Sequence, residues 1–195
     1  MTTRLVHNIA VGVALATMFA LCGGRASAAP ILNPANGHYY EVITKQMNWA
    51  TANAAATSSF FMGAQGHLAT VTSAQENLFL TSTFGGGVID SHWLGGFQPP
   101  GSPEPAGGWA WVTGEPFAFN NWFPPAEPNN AFGTEDRIQF AHGILANGKA
   151  WNDATGANLA RGYIVEFAPL AVPLPPTVLL FAGGLLGAFA CRRRL

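Results

Sequence analysis

The alternation of apolar and polar positions divides the chain into an orderly first half and an irregular second half. His38-Tyr39-Tyr40-Glu41-Val42-Ile43 reads as a strand, and the alanine-rich run 49–57 reads as a helix. Ser73-Ala74-Gln75-Glu76 has the form of a capping box and opens a second helix with Leu78 and Phe79 on one face. Beyond Phe84 the pattern breaks. Long stretches rich in Gly, Pro and Asn separate short aromatic runs, and turn-rich breaks at 85–87 and 99–108 are too short to divide domains. Ile138-Gln139-Phe140 and Tyr163-Ile164-Val165-Glu166-Phe167 read as strands. Two early helices followed by a loop-heavy β half give an α+β plan. Pairing of the first and last strands would bring both ends of the domain to one pole.

The two ends carry a different pattern, one of unbroken apolar runs. Arg4 precedes the run 9–21, and Ala26-Ser27-Ala28 is a small-x-small cleavage site. Residues 1–28 therefore read as a secretory signal peptide, too short and wrongly flanked for a membrane span. Near the C-terminus, Val172-Pro173-Leu174-Pro175-Pro176 precedes the run 178–191 and then Arg192-Arg193-Arg194. The run is short for a permanent transmembrane helix, which needs about 20 residues. The arginines would stay cytoplasmic and place everything before them outside. A tail anchor and a removable sorting tail both fit these residues.

Setting the ends aside changes the charge. The whole chain is at −1, but residues 34–168 hold four basic residues against ten acidic ones, which leaves them near −6. Such a domain is a poor partner for nucleic acid and a good one for cations. Cys22 and Cys191 both lie in the ends, so the domain is expected to have no disulfide. About 140 residues can bury a sufficient core without one.

The candidate chemistry lies in two segments. Glu127-Pro128-Asn129 is followed by Glu135 and later by Trp151-Asn152-Asp153. Glu127, Asn129, Glu135, Asn152 and Asp153 offer carboxylate and amide oxygens, a hard donor set suited to Ca2+. That ion takes roughly six to eight oxygens, so positions remain for water, a backbone carbonyl or ligand hydroxyls. His38, His67, His92 and His142 are scattered without ligand spacing. A nucleophile elbow, a phosphate-binding glycine loop and a zinc motif are all missing from the sequence, so it reads as a non-enzyme.

In this order the landmarks resemble the C-type lectin-like domain. Trp49, Ala52 and Gly66-His67-Leu68-Ala69 match its first helix and following turn. Trp93-Leu94-Gly95-Gly96 matches its central strand. Trp109-Ala110-Trp111-Val112-Thr113-Gly114-Glu115-Pro116 and Asn121-Trp122 match the approach to its long loop. Glu127-Pro128-Asn129, Glu135-Asp136 and Trp151-Asn152-Asp153 match its principal calcium site. The resemblance implies two helices with two small antiparallel sheets and a long calcium-binding loop. The family's usual cysteines are replaced by Ala56, Arg137, Gly156 and Val165.

The resemblance also implies a chemistry. Vicinal sugar hydroxyls would complete the calcium shell, with carboxylates accepting and Asn amides donating. Glu127 with Asn129, and Glu135 with Asn152, would form the carbohydrate-binding pairs, and Pro128 would follow a cis bond. The Glu-Pro-Asn order is similar to that of mannose-type members. Asp136 matches one ligand of an auxiliary calcium site, but Gln98 and Asn130 stand where carboxylates are expected, so a hydrogen-bonded loop is expected there.

The tail resembles the PEP-CTERM sorting signal of Gram-negative bacteria, which implies handling by an exosortase and transient inner-membrane association. The expected protein is secreted and acts at the cell surface or in an exopolysaccharide matrix as a mannose-type, calcium-dependent lectin. The alternative is a structural or protein-binding domain in which calcium only orders the long loop.

Overall fold

The computed structural model describes residues 29–85, 87–142 and 150–168. The apolar ends, with both targeting segments and both cysteines, lie outside these residues. Among the described residues no helix is long and apolar enough to cross a membrane.

The elements run β1 (Ile31–Leu32), β2 (Tyr39–Ile43), α1 (Trp49–Thr57), β3 (Phe60–Phe61), β4 (Ala64–Leu68), α2 (Ala74–Thr83), β5 (His92–Phe97), β6 (Ala110–Trp111), a 3-10 turn (Ala131–Gly133), β7 (Arg137–Phe140), β8 (Trp151–Ala154) and β9 (Gly162–Phe167). The expected first and last strands pair antiparallel along their length, from Tyr39 opposite Phe167 to Ile43 opposite Tyr163. The other edge of β9 is shared, with β4 antiparallel at one end and β5 parallel at the other. That short parallel pairing joins two antiparallel groups. One is built on β2, β9 and β4, and the other on β6, β5, β7 and β8.

Strand β9 explains the two-sided core. Successive side chains point to opposite faces. Ile164 packs with Tyr40, Leu80, Leu94, Trp111, Ile138, Phe140 and Trp151. Val165 and Phe167 face the other way, toward Trp49, Ala52, Ala56, Leu68 and Trp93. Helix α1 closes this second face. Asn48 caps it, its Oδ1 accepting from Thr51 N at 2.9 Å, and the small Ala52 and Ala56 let it lie close to the sheet. The indole N–H groups of Trp49 and Trp93 donate to Leu94 O and Met47 O, each at 2.9 Å, so both rings are buried with their polar atom satisfied.

Helix α2 departs from its sequence reading in two ways. Ser73 caps it as expected, accepting from Glu76 N, but the Glu76 carboxylate does not return to the Ser73 amide. It accepts instead from Thr72 N at 2.8 Å and from the Tyr40 hydroxyl. Leu78 is exposed, while Glu76, Asn77, Leu80 and Thr81 turn inward. A buried polar cluster decides this rotation. Glu166, on β9, accepts from Tyr40 OH at 3.1 Å and Thr70 N at 2.8 Å and pairs with His38. Glu76 joins it through Tyr40. Burial and the neighbouring Glu166 raise the Glu76 carboxyl above its ordinary range, and the bond to Glu166 raises the His38 imidazole.

At the four positions where the family has cysteines, packing takes over. Ala56 and Val165 are buried in the same core layer. Arg137 and Gly156 are neighbours: a Cβ on Gly156 would lie 2.9 Å from Arg137 Cγ. The Arg137 guanidinium stacks on Trp49, 4.6 Å from the ring centroid, and its Nη1 reaches Asp136 Oδ2 at 2.7 Å.

Gly162 marks the tightest joint between the two sheet groups. A Cβ there would lie 2.1 Å from Ile43 O and 2.6 Å from His92 Nε2. Gly162→Ala must part β9 from β2 or β5, and it is expected to cost about 1–3 kcal/mol of stability. Urea denaturation checks this, and an unchanged midpoint would contradict the tight joint.

Candidate functional site

The five sequence-predicted oxygen donors come from three places that meet beside β8. Asn152 and Asp153 sit on β8 itself, a strand within what the sequence reads as a loop-like segment. Pairing with β7 sets Asp153 opposite Ile138 and Asn152 opposite Gln139. Asp153 therefore points inward and is fully buried, while Asn152 faces the rim. Glu127 and Asn129 come from the long segment before the 3-10 turn, and Glu135 from the residues just after it.

Backbone pairing to β8 holds the long segment in place. Trp151 N donates to Asn121 O at 2.8 Å, and Phe123 N donates to Trp151 O at 2.9 Å. Phe123 O then accepts from Glu127 N at 2.9 Å and closes a turn. The side chains add weight: Trp122, Phe117 and Phe119 pack against the Trp151 ring, which also meets Trp111. Trp122 thus supports the site from a half-buried position within the aromatic cluster. The Glu127–Pro128 bond is cis, as the resemblance implies.

Asp153 is the hub. Its carboxylate accepts from Asn129 N at 3.1 Å and from Asn130 N at 2.7 Å, so it fixes the backbone of the loop that carries the other donors. Asn129 Nδ2 donates to Glu127 Oε2 at 2.6 Å, which makes the first expected pair directly. Glu135 and Asn152 make no direct bond to each other among the described contacts. Glu135 accepts from Ala131 N at 2.9 Å, and Asn152 donates to the Asp153 carbonyl.

Asn130 is the residue the sequence reading undervalued. Its Oδ1 accepts from Glu135 N at 3.0 Å and its backbone lies in the left-handed region at φ 46°, which Asn tolerates. It follows the Glu-Pro-Asn triplet directly, and that placement was the available signal. Phe132, at φ 58°, is also left-handed, and its ring is fully exposed. That backbone is uncommon for a bulky residue.

Three carboxylates crowd this loop, and none of the ion pairs among the described residues neutralises them. Burial pushes the Glu127 carboxyl up to about 7, helped by a hydrogen bond to Asp153 and by the charges of Asp153 and Glu135. Burial also raises Glu135, with Asp153 adding to it and the Ala131 N–H opposing it. The donor set has the hardness that calcium needs. The side chains share one neighbourhood but not one coordination sphere: among the described residues, no three His, Cys, Asp or Glu groups converge to hold a metal ion. At the auxiliary position the expected hydrogen-bonded loop is present. Gln98 Nε2 donates to Gly107 O at 2.8 Å and Pro105 O at 3.1 Å, and Asp136 is taken by Arg137.

Comparison with known proteins bears on this geometry. Residues 171–194 match the PEP-CTERM protein-sorting motif, which indicates export and membrane-anchored sorting. Over 123 residues the chain is 33% identical to human C-type lectin domain family 4 member K, a match covering 61% of this chain and 32% of that protein. It is 38% identical over 84 residues to halomucin of Haloquadratum walsbyi, covering 43% of this chain and 1% of that one. The chain thus spans a third or less of these curated relatives. The structure resembles the C-type lectin CEL-I from Cucumaria echinata at TM-score 0.58 and 22% identity, covering 74% of this chain and 99% of that one. It also resembles the herring type II antifreeze protein at TM-score 0.55 and 28% identity, covering 69% and 93%. By its two-helix architecture and its structural neighbours, this chain has a C-type lectin-like fold, and residues 171–194 carry a PEP-CTERM protein-sorting motif.

Proposed function

We propose that the protein is a secreted, calcium-dependent lectin of the cell surface or exopolysaccharide matrix that binds mannose-type glycans. One observation carries this reading: the half-buried Glu127 and Glu135 of the long loop come together with the buried Asp153 of β8, and none of the ion pairs among the described residues neutralises them. Crowded like charges destabilise a fold unless a cation or proton joins them. Glu127, Asn129, Glu135, Asn152 and Asp153 would hold calcium, which would supply positive charge and open positions for hydroxyl oxygens. Asn129 and Asn152 amides would donate to those hydroxyls, and Glu127 and Glu135 would accept from them. The sorting motif supports handling of the tail by an exosortase, with removal of the tail near the motif.

A second reading has its own support. Asn129 bonds Glu127, and Asp153 and Glu135 accept from backbone amides of the loop, as parts of a structural clip would. In that reading calcium orders the loop, and the domain serves as a structural or protein-binding unit.

Glycan binding in calcium and in chelator separates the two. The first reading expects calcium-dependent binding of mannose, glucose or N-acetylglucosamine glycans. It also expects Glu127→Gln combined with Asn129→Asp to weaken that binding at least about tenfold, since each unmatched hydrogen bond to a charged group costs about 1.5–3 kcal/mol. Calcium binding without any glycan binding would leave the structural reading in its place.

A further inference from the structure

We propose that the ligand is an extended glycan, whose first sugar sits at Glu127 and Asn152 and whose following units lie along the rim of β7 and β8. The proposal rests on the carbohydrate reading above and adds to it a direction and a minimum size.

A groove of about 380 Å3 opens at Glu127 and Asn152 and runs past Phe123 and Ala126 to Gln139 and His142. A second cleft of about 300 Å3 shares Gln139 and His142 and continues to Ser91, Asn158 and Arg161. The shared residues make the two one path across the edge of the sheet. Either volume suits small-ligand binding. Glu127 lines only the first cleft and Arg161 only the second, so a ligand that reaches both occupies more than one cleft.

The chemistry of the path suits hydroxyls. Gln139 and Asn152 are cross-strand partners, so their side chains stand side by side on one face. Gln139 is half-buried, and no described residue hydrogen-bonds its amide. A carboxamide offers donors and an acceptor together, as a sugar hydroxyl requires. Phe123 and Ala126 give the path an apolar wall for sugar C–H faces. His142 brings an imidazole 3.8 Å from Asp90 Oδ2, and Arg161 adds an exposed cation at the far end. Gln139 also sits on a strand paired on both sides, with β5 and β8, so its backbone is fixed before ligand arrives.

The test is calorimetric titration of the full chain in calcium with methyl glycosides of mannose, glucose and N-acetylglucosamine, and with their linear trisaccharides. At least one trisaccharide is expected to bind about tenfold or more tighter than its own glycoside. Gln139→Ala is expected to remove most of that excess while keeping the glycoside affinity and the calcium midpoint. Arg161→Ala, at the far end of the second cleft, is expected to remove part of the excess and to leave the glycoside affinity unchanged. Equal affinity of trisaccharide and glycoside overturns the groove while leaving the lectin reading intact, as does a Gln139→Ala variant that retains the excess. Absence of binding by every sugar, with calcium still bound, overturns both.

Discussion

Asp153→Ala is expected to lower calcium affinity by well over an order of magnitude and to destabilise the metal-free domain, while Glu135→Ala lowers affinity with little change in metal-free stability. The difference lies in what each carboxylate does before any ion arrives. Asp153 is fully buried and accepts from the amides of Asn129 and Asn130. Its removal takes away the buried acceptor that fixes two part-buried loop amides, at about 1–3 kcal/mol in all. Glu135 accepts from Ala131 N alone at the rim of the loop. Its loss removes one charged ligand from a site whose affinity follows ligand charge. The pH dependence has a definite sign. Glu127 rises from an ordinary 4.5 to about 7 in the folded chain, so the folded state binds more protons between those values. Its contribution to stability is present below 4.5 and is lost as pH rises through 7. Calcium competes with that same proton. Its affinity should therefore fall as pH drops below 7, and its stabilising effect should be largest above. Calcium titrations and thermal melts at pH 5.5 and 8, with calcium and with chelator, measure all of this. Undiminished affinity in both variants would remove these residues from the ligand set.

Trp151→Ala is expected to cost about 3–5 kcal/mol and to loosen the site with it. The indole is fully buried between Trp111, Phe119 and Trp122, and its Nε1 donates to Asn77 Oδ1 at 2.9 Å. The same residue's backbone holds Asn121 and Phe123, from which the Glu127 turn springs. Losing the ring should therefore reduce both the denaturation midpoint and the calcium affinity. Trp151→Phe keeps much of the packing but leaves Asn77 without this donor, and it should cost less. Phe132→Ala is the contrast. Its ring is fully exposed, so stability should move by no more than about 0.5 kcal/mol. Equal effects of Trp151→Ala and Phe132→Ala in denaturation would contradict the supporting role of the cluster.

The elements legible in the sequence were those with a local cause. The alanine-rich helix appears with the bounds 49–57, because its residues favour helix and Asn48 caps it without outside help. The Ser73 cap and the Tyr163–Phe167 strand were equally local. What only the tertiary structure decided had its cause at a distance. The sequence puts Leu78 and Phe79 on one face, but Glu76 turns inward to join Tyr40 and Glu166, which leaves Leu78 exposed while Phe79 packs against the core. An acid among the buried positions of β9 was the trace of that cluster in the sequence, though not of its partners. The segment that carries Trp151-Asn152-Asp153 reads as loop-like, since glycines flank it. It is a strand because β7 pairs with it on one side and the Asn121–Phe123 backbone lies on the other. The same pairing makes Asp153 the buried hub and leaves Asn152 at the rim beside Gln139. A ligand's residue types follow from composition and spacing, but which of them is buried, shared or free depends on register. Register is set by strands far apart in the chain, because a one-residue shift would send every side chain to the other face.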